Sequence, residues 1–139
     1  MNTTSQYAAS TTRPSSSLRY LPAIGRVGIS AIFVWSGFGK LSDPAGTIGY
    51  IEAVGLPLPE FGLAFAVAAE LIGGILLAVG IAVRPVAGVL AAFSIVTALI
   101  FHSQLGDTNQ AIHFLKNLAL AGGLAQVVAF GTGAPASKA

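Results

Sequence analysis

The fold can be inferred from the stretch between Phe61 and Phe101, FGLAFAVAAELIGGILLAVGIAVRPVAGVLAAFSIVTALIF. It is apolar for about forty residues, twice the roughly twenty that a helix needs to cross a bilayer. Its interruption is Val83-Arg84-Pro85. Proline suits the first turn of a helix, and arginine suits the membrane interface. The stretch therefore predicts two membrane helices joined by a tight hairpin.

Two further apolar runs flank this stretch. The run from Leu21 to Phe38 is too long for a cleaved signal peptide and ends at Lys40 without a small-x-small cleavage site, so it predicts a first membrane helix. After a polar loop, a fourth helix is expected from about Gln110 to Phe130. The predicted fold is all-α, a four-helix transmembrane bundle over residues 20–131, with spans at about 21–39, 61–83, 85–102 and 110–130.

The segments outside the spans are polar. Residues 1–19 are rich in Ser, Thr, Gln and Asn and predict a disordered tail, and residues 132–139 form a second tail. The first loop is rich in turn residues. It contains a short amphipathic segment that we expect to lie at the membrane interface, around Ile48, Tyr50, Ile51 and Val54.

The composition excludes several classes of function. Of 139 residues, 54% are hydrophobic and 9% charged, against about 25% charged in soluble domains, so the bilayer is the expected partner. A net charge of +2 without a Lys/Arg block argues against nucleic acid. The chain has no cysteine, which excludes Fe–S ligation and thiolate nucleophiles. With only two histidines, neither a metal nor a haem is expected.

The distribution of Lys and Arg predicts the orientation. Cytoplasmic loops carry the excess of these residues. One side holds Arg13, Arg19, Arg84 and Lys138, and the other holds only Lys40. Both termini are therefore expected in the cytoplasm.

Several polar residues lie within or beside the apolar spans. A charge at the centre of a bilayer costs roughly 2.5–3.5 kcal/mol even on the mildest scale, so such residues usually face a bundle interior. Helical spacing places them on single faces. These faces carry Arg26, Ser30, Phe33, Gly37 and Lys40 in helix one; Gly62, Ala66, Glu70, Gly74 and Ala78 in helix two; Ser94, Ala98 and His102 in helix three; and His113, Lys116 and Asn117 in helix four.

Depth along the spans predicts a polar pocket. At about 1.5 Å per helical residue, Glu70 lies near mid-membrane, and the histidines, Lys116 and Asn117 lie in the outer half. The pocket then opens outward, with Glu70 towards its floor. Two interpretations of Glu70 stay open, because it either forms a structural ion pair with Arg26 or serves the function.

Other polar residues have simpler explanations. Lys40 and Arg84 are typical of interface residues whose charges reach the headgroups. His113 is expected to be an exposed residue near the start of helix four. Lys116 beside Asn117 is the hardest pair to explain by packing, because a lysine inside a span rarely serves packing.

Three motifs resemble those of the DoxX family of small bacterial membrane proteins. They are Trp35-Ser-Gly-Phe-Gly-Lys40-Leu41 at the end of helix one, Glu70-Leu-Ile-Gly-Gly-Ile-Leu-Leu-Ala-Val-Gly80 followed by Arg84, and His102 with Phe114-Leu-Lys116-Asn117-Leu118. Each motif is weak alone, but their order and spacing are fairly specific. The resemblance covers about Tyr20 to Phe130.

The resemblance implies a four-helix protein of the bacterial inner membrane, similar to subunits of quinone-linked oxidoreductases such as thiosulfate:quinone oxidoreductase. It also implies a redox partner protein. The motif positions carried over are Lys40, Glu70, Arg84, His102, Lys116 and Asn117. Because bundles rich in small residues often self-associate, a homo-oligomer is also expected.

Three hypotheses on function follow. The first is a quinone-interacting subunit of a membrane oxidoreductase complex, because a quinone needs donors at its carbonyl oxygens and a protonatable group beside them. Its catalytic candidates are Glu70, His102 and Lys116, and its ligand-binding candidates are Lys40, Arg26, Asn117 and Ser94. The second is a non-catalytic anchor or assembly subunit. The third is a small transporter with an outward-facing polar cavity.

Overall fold

The structure is a computed structural model that describes residues 18–132, so the predicted tail over 1–17 and the segment 133–139 lie outside it. All regular structure within the described residues is helical. A 3₁₀ turn, Leu18–Tyr20, leads into the first helix. The helices are α1 Leu21–Ser42, α2 Pro44–Ala53, α3 Pro59–Val67, α4 Gly73–Val79, α5 Val83–Phe101 and α6 Thr108–Phe130, with a π-helical turn, Ala68–Ile72, between α3 and α4.

The all-α fold and its four membrane helices are confirmed. Among the described residues, four continuous helices are long and apolar enough to span a bilayer: Leu18–Ser42, Pro59–Val79, Val83–Phe101 and Thr108–Phe130. The second of these combines α3, the π turn and α4. We call the end of the bundle that holds α2 and the α5–α6 loop the cavity end, and the opposite end, with the α4–α5 hairpin and Thr132, the terminal end.

The second membrane helix ends four residues before the predicted end at about 83. This helix stops at Val79 rather than at 83, because Gly80 (φ 84°) and Ala82 (φ 47°) adopt left-handed backbone conformations that a right-handed helix cannot include. The third helix accordingly begins at Val83 instead of 85. Pro85 then lies in its first turn, where the missing N–H leaves no hydrogen bond unmade.

The helices pack as two pairs. α5 runs along α6, and α1 runs along the π turn and α4, whereas α1 touches α6 only sparingly. The core between them is apolar, and the outward surface is also apolar, as expected of helices that face lipid. The buried core cluster consists of Phe33, Leu77, Val83, Ala87, Leu90 and Leu124.

The predicted buried face of α1 is confirmed. Arg26, Ser30, Phe33 and Gly37 are all buried. α1 approaches α4 closely at Gly74 of α4. A methyl group added to Gly74 would lie 3.0 Å from a methyl group of Val34 in α1. Small residues of this kind let membrane helices come close enough for their side chains to meet.

The predicted amphipathic segment is the helix α2. Asp43 caps its start, since the carboxylate accepts a hydrogen bond from the backbone N–H of Gly46 at 2.9 Å. Ile51 is buried and packs beside Gly62 of α3. The hydroxyl of Tyr50 donates to the carbonyl oxygen of Phe101, the last residue of α5, at 2.8 Å. These contacts fix α2 across the cavity end.

Candidate functional site

The first half of the site is an ion pair at the centre of the second span. Glu70 lies in the π turn and is 4% exposed. Lys40 reaches it from the last turn of α1, with Nζ 2.8 Å from both carboxylate oxygens. Ser36, one turn before Lys40, donates to Glu70 Oε1 at 3.0 Å and accepts from Lys40 Nζ at 2.9 Å. The Glu70 carboxylate is thus held by three hydrogen bonds.

The structure pairs Glu70 with a different basic residue from the one that the sequence suggested. Its partner is Lys40, and the suggested ion pair between Arg26 and Glu70 is wrong. Arg26 lies at the terminal end, where Nη1 is 3.5 Å from the carbonyl oxygen of Thr132. The interpretation of Lys40 as an interface residue is wrong as well, because its ammonium group turns inward to a buried carboxylate.

The second half of the site lies where α5 ends and α6 begins. The rings of His102 and His113 stack with their centroids 4.9 Å apart and their planes 21° from parallel. Nδ1 of His102 is 2.8 Å from Oε1 of Gln110, and Nζ of Lys116 is 2.9 Å from Nδ1 of His113. Asn117 donates its Nδ2 to the carbonyl oxygen of His113 at 3.0 Å, which leaves its Oδ1 as an acceptor.

When both rings are neutral, these hydrogen-bond partners match opposite tautomers of the two histidines. The amide oxygen of Gln110 only accepts, so Nδ1 of neutral His102 carries a proton and Nε2 is left as an acceptor. The Lys116 ammonium group only donates, so Nδ1 of His113 is unprotonated and Nε2 carries the proton. The pair therefore offers one acceptor and one donor nitrogen side by side.

Both halves line one cavity of about 750 Å³. Volumes of this size are typical of small-molecule sites. Its walls are mostly aliphatic and aromatic, with contributions from Phe33, Phe65, Phe93, Ile100 and Leu120, and α2 contributes Thr47, Tyr50 and Ile51. Trp35 also lines it while being 82% exposed, so the cavity extends to the apolar outer face of α1. The polar residues that line it are Ser36, Lys40, Asp43, Thr47, Tyr50, Glu70, Thr97, His102, His113, Lys116 and Asn117.

The cavity brings together five of the seven candidates chosen from the sequence: Lys40, Glu70, His102, Lys116 and Asn117. The other two lie elsewhere. Ser94 is fully buried and donates its hydroxyl to the carbonyl oxygen of Leu90, one turn earlier in α5, at 2.9 Å. Arg26 lies at the terminal end. Neither lines the cavity, and we leave both out of the proposed site.

Sequence reasoning missed three contributors and misjudged a fourth. His113 was expected to be exposed, but it is partly buried against His102. The missed residues are Ser36 and Gln110, which are polar partners of the recognised residues Glu70 and His102, and Tyr50, which bonds to the backbone of Phe101. Ser36 lies four residues before Lys40, and Gln110 three before His113, so helical spacing alone places both on the faces concerned. The signal for Tyr50 was its place in the amphipathic segment.

Fold and cavity together define a small membrane protein with four spans and a polar interior site. The chain belongs to the DoxX family, whose model matches residues 21–103. Two relatives come from Escherichia coli strain K12. The chain is 33% identical to inner membrane protein YqjF over 80% of this chain and 84% of the relative, and 31% identical to inner membrane protein YphA over 96% of each. No solved structure matches the chain significantly.

Proposed function

We propose that the cavity binds a quinone and that the protein is the quinone-interacting subunit of a membrane oxidoreductase complex. The observation that carries this proposal is the pair of stacked histidines, each with a polar partner at Nδ1, inside a mostly apolar cavity. A quinone ring is flat, apolar and lipid-soluble, and it presents two oxygens that change from acceptors to donors on reduction.

The residues present fit such a ligand. Nε2 of His113 and the ammonium group of Lys116 are donors for a carbonyl oxygen, and Nε2 of His102 is an acceptor for a hydroxyl. The aromatic and aliphatic walls suit the ring and its tail. The exposed face of Trp35 suits entry from the lipid, since the cavity reaches the outer surface there.

A bound quinone supplies two-electron chemistry coupled to the movement of two protons. The Nε2–H of His113 is placed to give a proton to a ligand oxygen as the ring is reduced, and Nε2 of His102 is placed to accept the hydrogen bond of the hydroxyl that forms. Lys116 keeps positive charge beside His113 and favours negative charge on a ligand oxygen. In this proposal Glu70, Lys40 and Ser36 form a second polar contact and a route for protons towards the ring.

The electrons come from a partner protein or a soluble reductant in this proposal. The sequence has no cysteine to ligate an Fe–S cluster and no other motif for a redox centre. We place the protein in the inner membrane, because both Escherichia coli relatives are named inner membrane proteins. The excess of Lys and Arg near the terminal end supports an orientation with both termini in the cytoplasm.

One observation favours a second candidate, a non-catalytic anchor. The Lys40–Glu70 pair ties α1 to the π turn, so its hydrogen bonds serve the packing of the bundle as well as any chemistry. An anchor predicts that substitutions of His102 and Lys116 leave the activity of the assembled complex unchanged. The quinone proposal predicts that activity falls while the amount of complex stays constant.

Trp35 provides a direct binding test, because it is the single tryptophan and lines the cavity. Purified protein is titrated with ubiquinone-1 while the fluorescence is recorded. We expect saturable quenching in the wild type, with a Kd about ten-fold higher in His102→Ala, the equivalent of one lost hydrogen bond. Gln126→Ala, which changes an exposed residue of α6 outside the cavity, is the matched control and should bind like the wild type. Non-saturable quenching that is identical in all three proteins would refute the proposal.

A further inference from the structure

The terminal end contains two arginines whose donors are poorly used. Arg26 is buried, 8% exposed, and its Nε has no hydrogen-bond partner. Its Nη1 is 3.5 Å from the carbonyl oxygen of Thr132, and Nη2 of Arg84 is 3.5 Å from the carbonyl oxygen of Ala129. Both contacts are at the outer limit of a hydrogen bond, and each guanidinium group has five N–H donors.

A cleft of about 360 Å³ lies beside these arginines. It is formed by the α4–α5 hairpin and the end of α6, from Phe130 to Thr132, and Arg84 lines it. The guanidinium group of Arg26 lies beside this cleft. Its Nη2 is 3.4 Å from where a methyl group added to Gly80 would lie, and its Nη1 faces the carbonyl oxygen of Thr132. Gly80 and Thr132 both line the cleft. Two guanidinium groups therefore approach one concave surface.

No carboxylate side chain is available at this end. The five acidic residues of the sequence are Asp43, Glu52, Glu60, Glu70 and Asp107. Four of them lie at the cavity end, and Glu70 lies near the middle of its span, paired with Lys40. Within residues 18–132, the Lys40–Glu70 pair is the one salt bridge. A buried cation without an anion is costly, so the missing anion is expected from outside the described chain.

We propose that Arg26 and Arg84 bind a phosphate group in the terminal cleft. Phosphate oxygens match the forked donors of arginine, and they would replace the two long contacts to carbonyl oxygens. The cleft lies at the ends of the membrane helices, at the level of lipid headgroups. The phosphate belongs to an anionic lipid or to a free phosphate ion, and both sources present the same chemistry. This site is separate from the cavity and does not rest on its function.

The test compares cleft variants with a matched control in full-length, delipidated protein in mild detergent. Thermal unfolding is followed during titration with phosphatidylglycerol, with monoolein, which has no phosphate, and with inorganic phosphate. Arg84→Gln removes an exposed arginine of the cleft and should fold normally. Arg26→Lys keeps the charge but loses the fork. Arg19→Gln removes an exposed arginine at the same end, outside the cleft.

We expect phosphatidylglycerol to raise the Tm of the wild type and of Arg19→Gln at similar concentrations. In Arg84→Gln and Arg26→Lys, the concentration for half of the effect should rise about ten-fold. If inorganic phosphate protects with the same dependence on the two arginines, the ligand is a free phosphate, and if only the lipid protects, it is a headgroup. Equal responses of wild type, Arg84→Gln and Arg26→Lys, or equal protection by monoolein, would overturn the proposal.

Discussion

At the cavity end of the bundle Lys40 and Glu70 neutralise each other, whereas at the terminal end Arg26 has no carboxylate partner among residues 18–132. Each end has one basic residue on the same face of α1, Lys40, which is partly exposed, at one end and buried Arg26 at the other. At the cavity end the counterion is part of the chain and comes with a hydroxyl, Ser36, that completes the geometry. At the terminal end the described residues, 18–132, offer Arg26 only a carbonyl oxygen at long distance. The comparison separates a charge that the fold requires from a charge that is available to a ligand.

The largest effect is expected where the counterion is removed. Glu70→Leu leaves the Lys40 ammonium group without its anion in an apolar environment, and breaking a buried pair typically costs about 3–5 kcal/mol. We expect a corresponding loss of free energy of unfolding in detergent. Glu60→Leu, which changes an exposed acid in the first turn of α3, should change it by less than about 0.5 kcal/mol.

The double variant Lys40→Met/Glu70→Leu sharpens this result. Removing both charges leaves no isolated ion, so much of the lost stability should return. A double variant as unstable as Glu70→Leu alone would show that the pair is not the source of the loss.

The next effect concerns the contact of α1 with the π turn. A methyl group added at Gly37 would lie 2.7 Å from Cγ of Leu71 and 3.3 Å from Cβ of Glu70, whereas one added at Gly39 meets nothing within 4 Å. We expect Gly37→Ala to lower the free energy of unfolding by about 1–3 kcal/mol, through overpacking beside the ion pair. Gly39→Ala should raise it by about 0.5–1 kcal/mol, because alanine favours the helix. The opposite order would contradict the described approach of the two helices.

A smaller effect is expected at α2. Tyr50→Phe removes the hydrogen bond to the carbonyl oxygen of Phe101 and keeps the ring contact, whose centroids are 5.4 Å apart. The loss is about 1 kcal/mol. It should appear as faster amide hydrogen exchange within Pro44–Ala53, with α1 unchanged as the internal control. Unchanged exchange in α2 would mean that this hydrogen bond does not hold the helix across the cavity end.

The smallest effect on the free energy of unfolding is expected at Arg26, at the terminal end of the bundle. Arg26→Met removes a buried charge that has no carboxylate partner in the described chain, and replaces it with an apolar side chain of similar length. In lipid-free detergent the free energy of unfolding should change by less than about 1 kcal/mol or rise. A loss as large as that of Glu70→Leu would show that Arg26 has a counterion within the protein.

Much of the fold could be predicted from the sequence, because its strongest signal is the length of the apolar runs. The buried face of α1 was also predictable, since Arg26, Ser30, Phe33 and Gly37 follow helical spacing. The π turn was not, because no residue pattern within Ala68–Ile72 distinguishes it from an α-helix. The end of the second helix was missed because Ala82, an ordinary helix former, takes a positive φ.

The partner of Glu70 could not be derived from spacing alone. Arg26 and Lys40 share one face of α1 but are fourteen residues apart, about 21 Å along the axis. Which of them meets Glu70 depends on how α1 and the second span slide past each other, and the sequence of neither helix contains that register. The histidine pair was missed because it also depends on how two helices, α5 and α6, lie against each other. The loop from Ser103 to Asp107 is short enough to bring the start of α6 beside the end of α5.

We propose that the cavity holds a quinone at the two histidines and Lys116. The most direct measurement is solvent extraction of protein purified in mild detergent from its native membrane, followed by chromatographic assay of quinone. We predict close to one quinone per protein in the wild type and in Gln126→Ala, and almost none in the double variant His102→Ala/Lys116→Ala. Purified wild-type protein without quinone, or a double variant that retains it, would refute the quinone proposal.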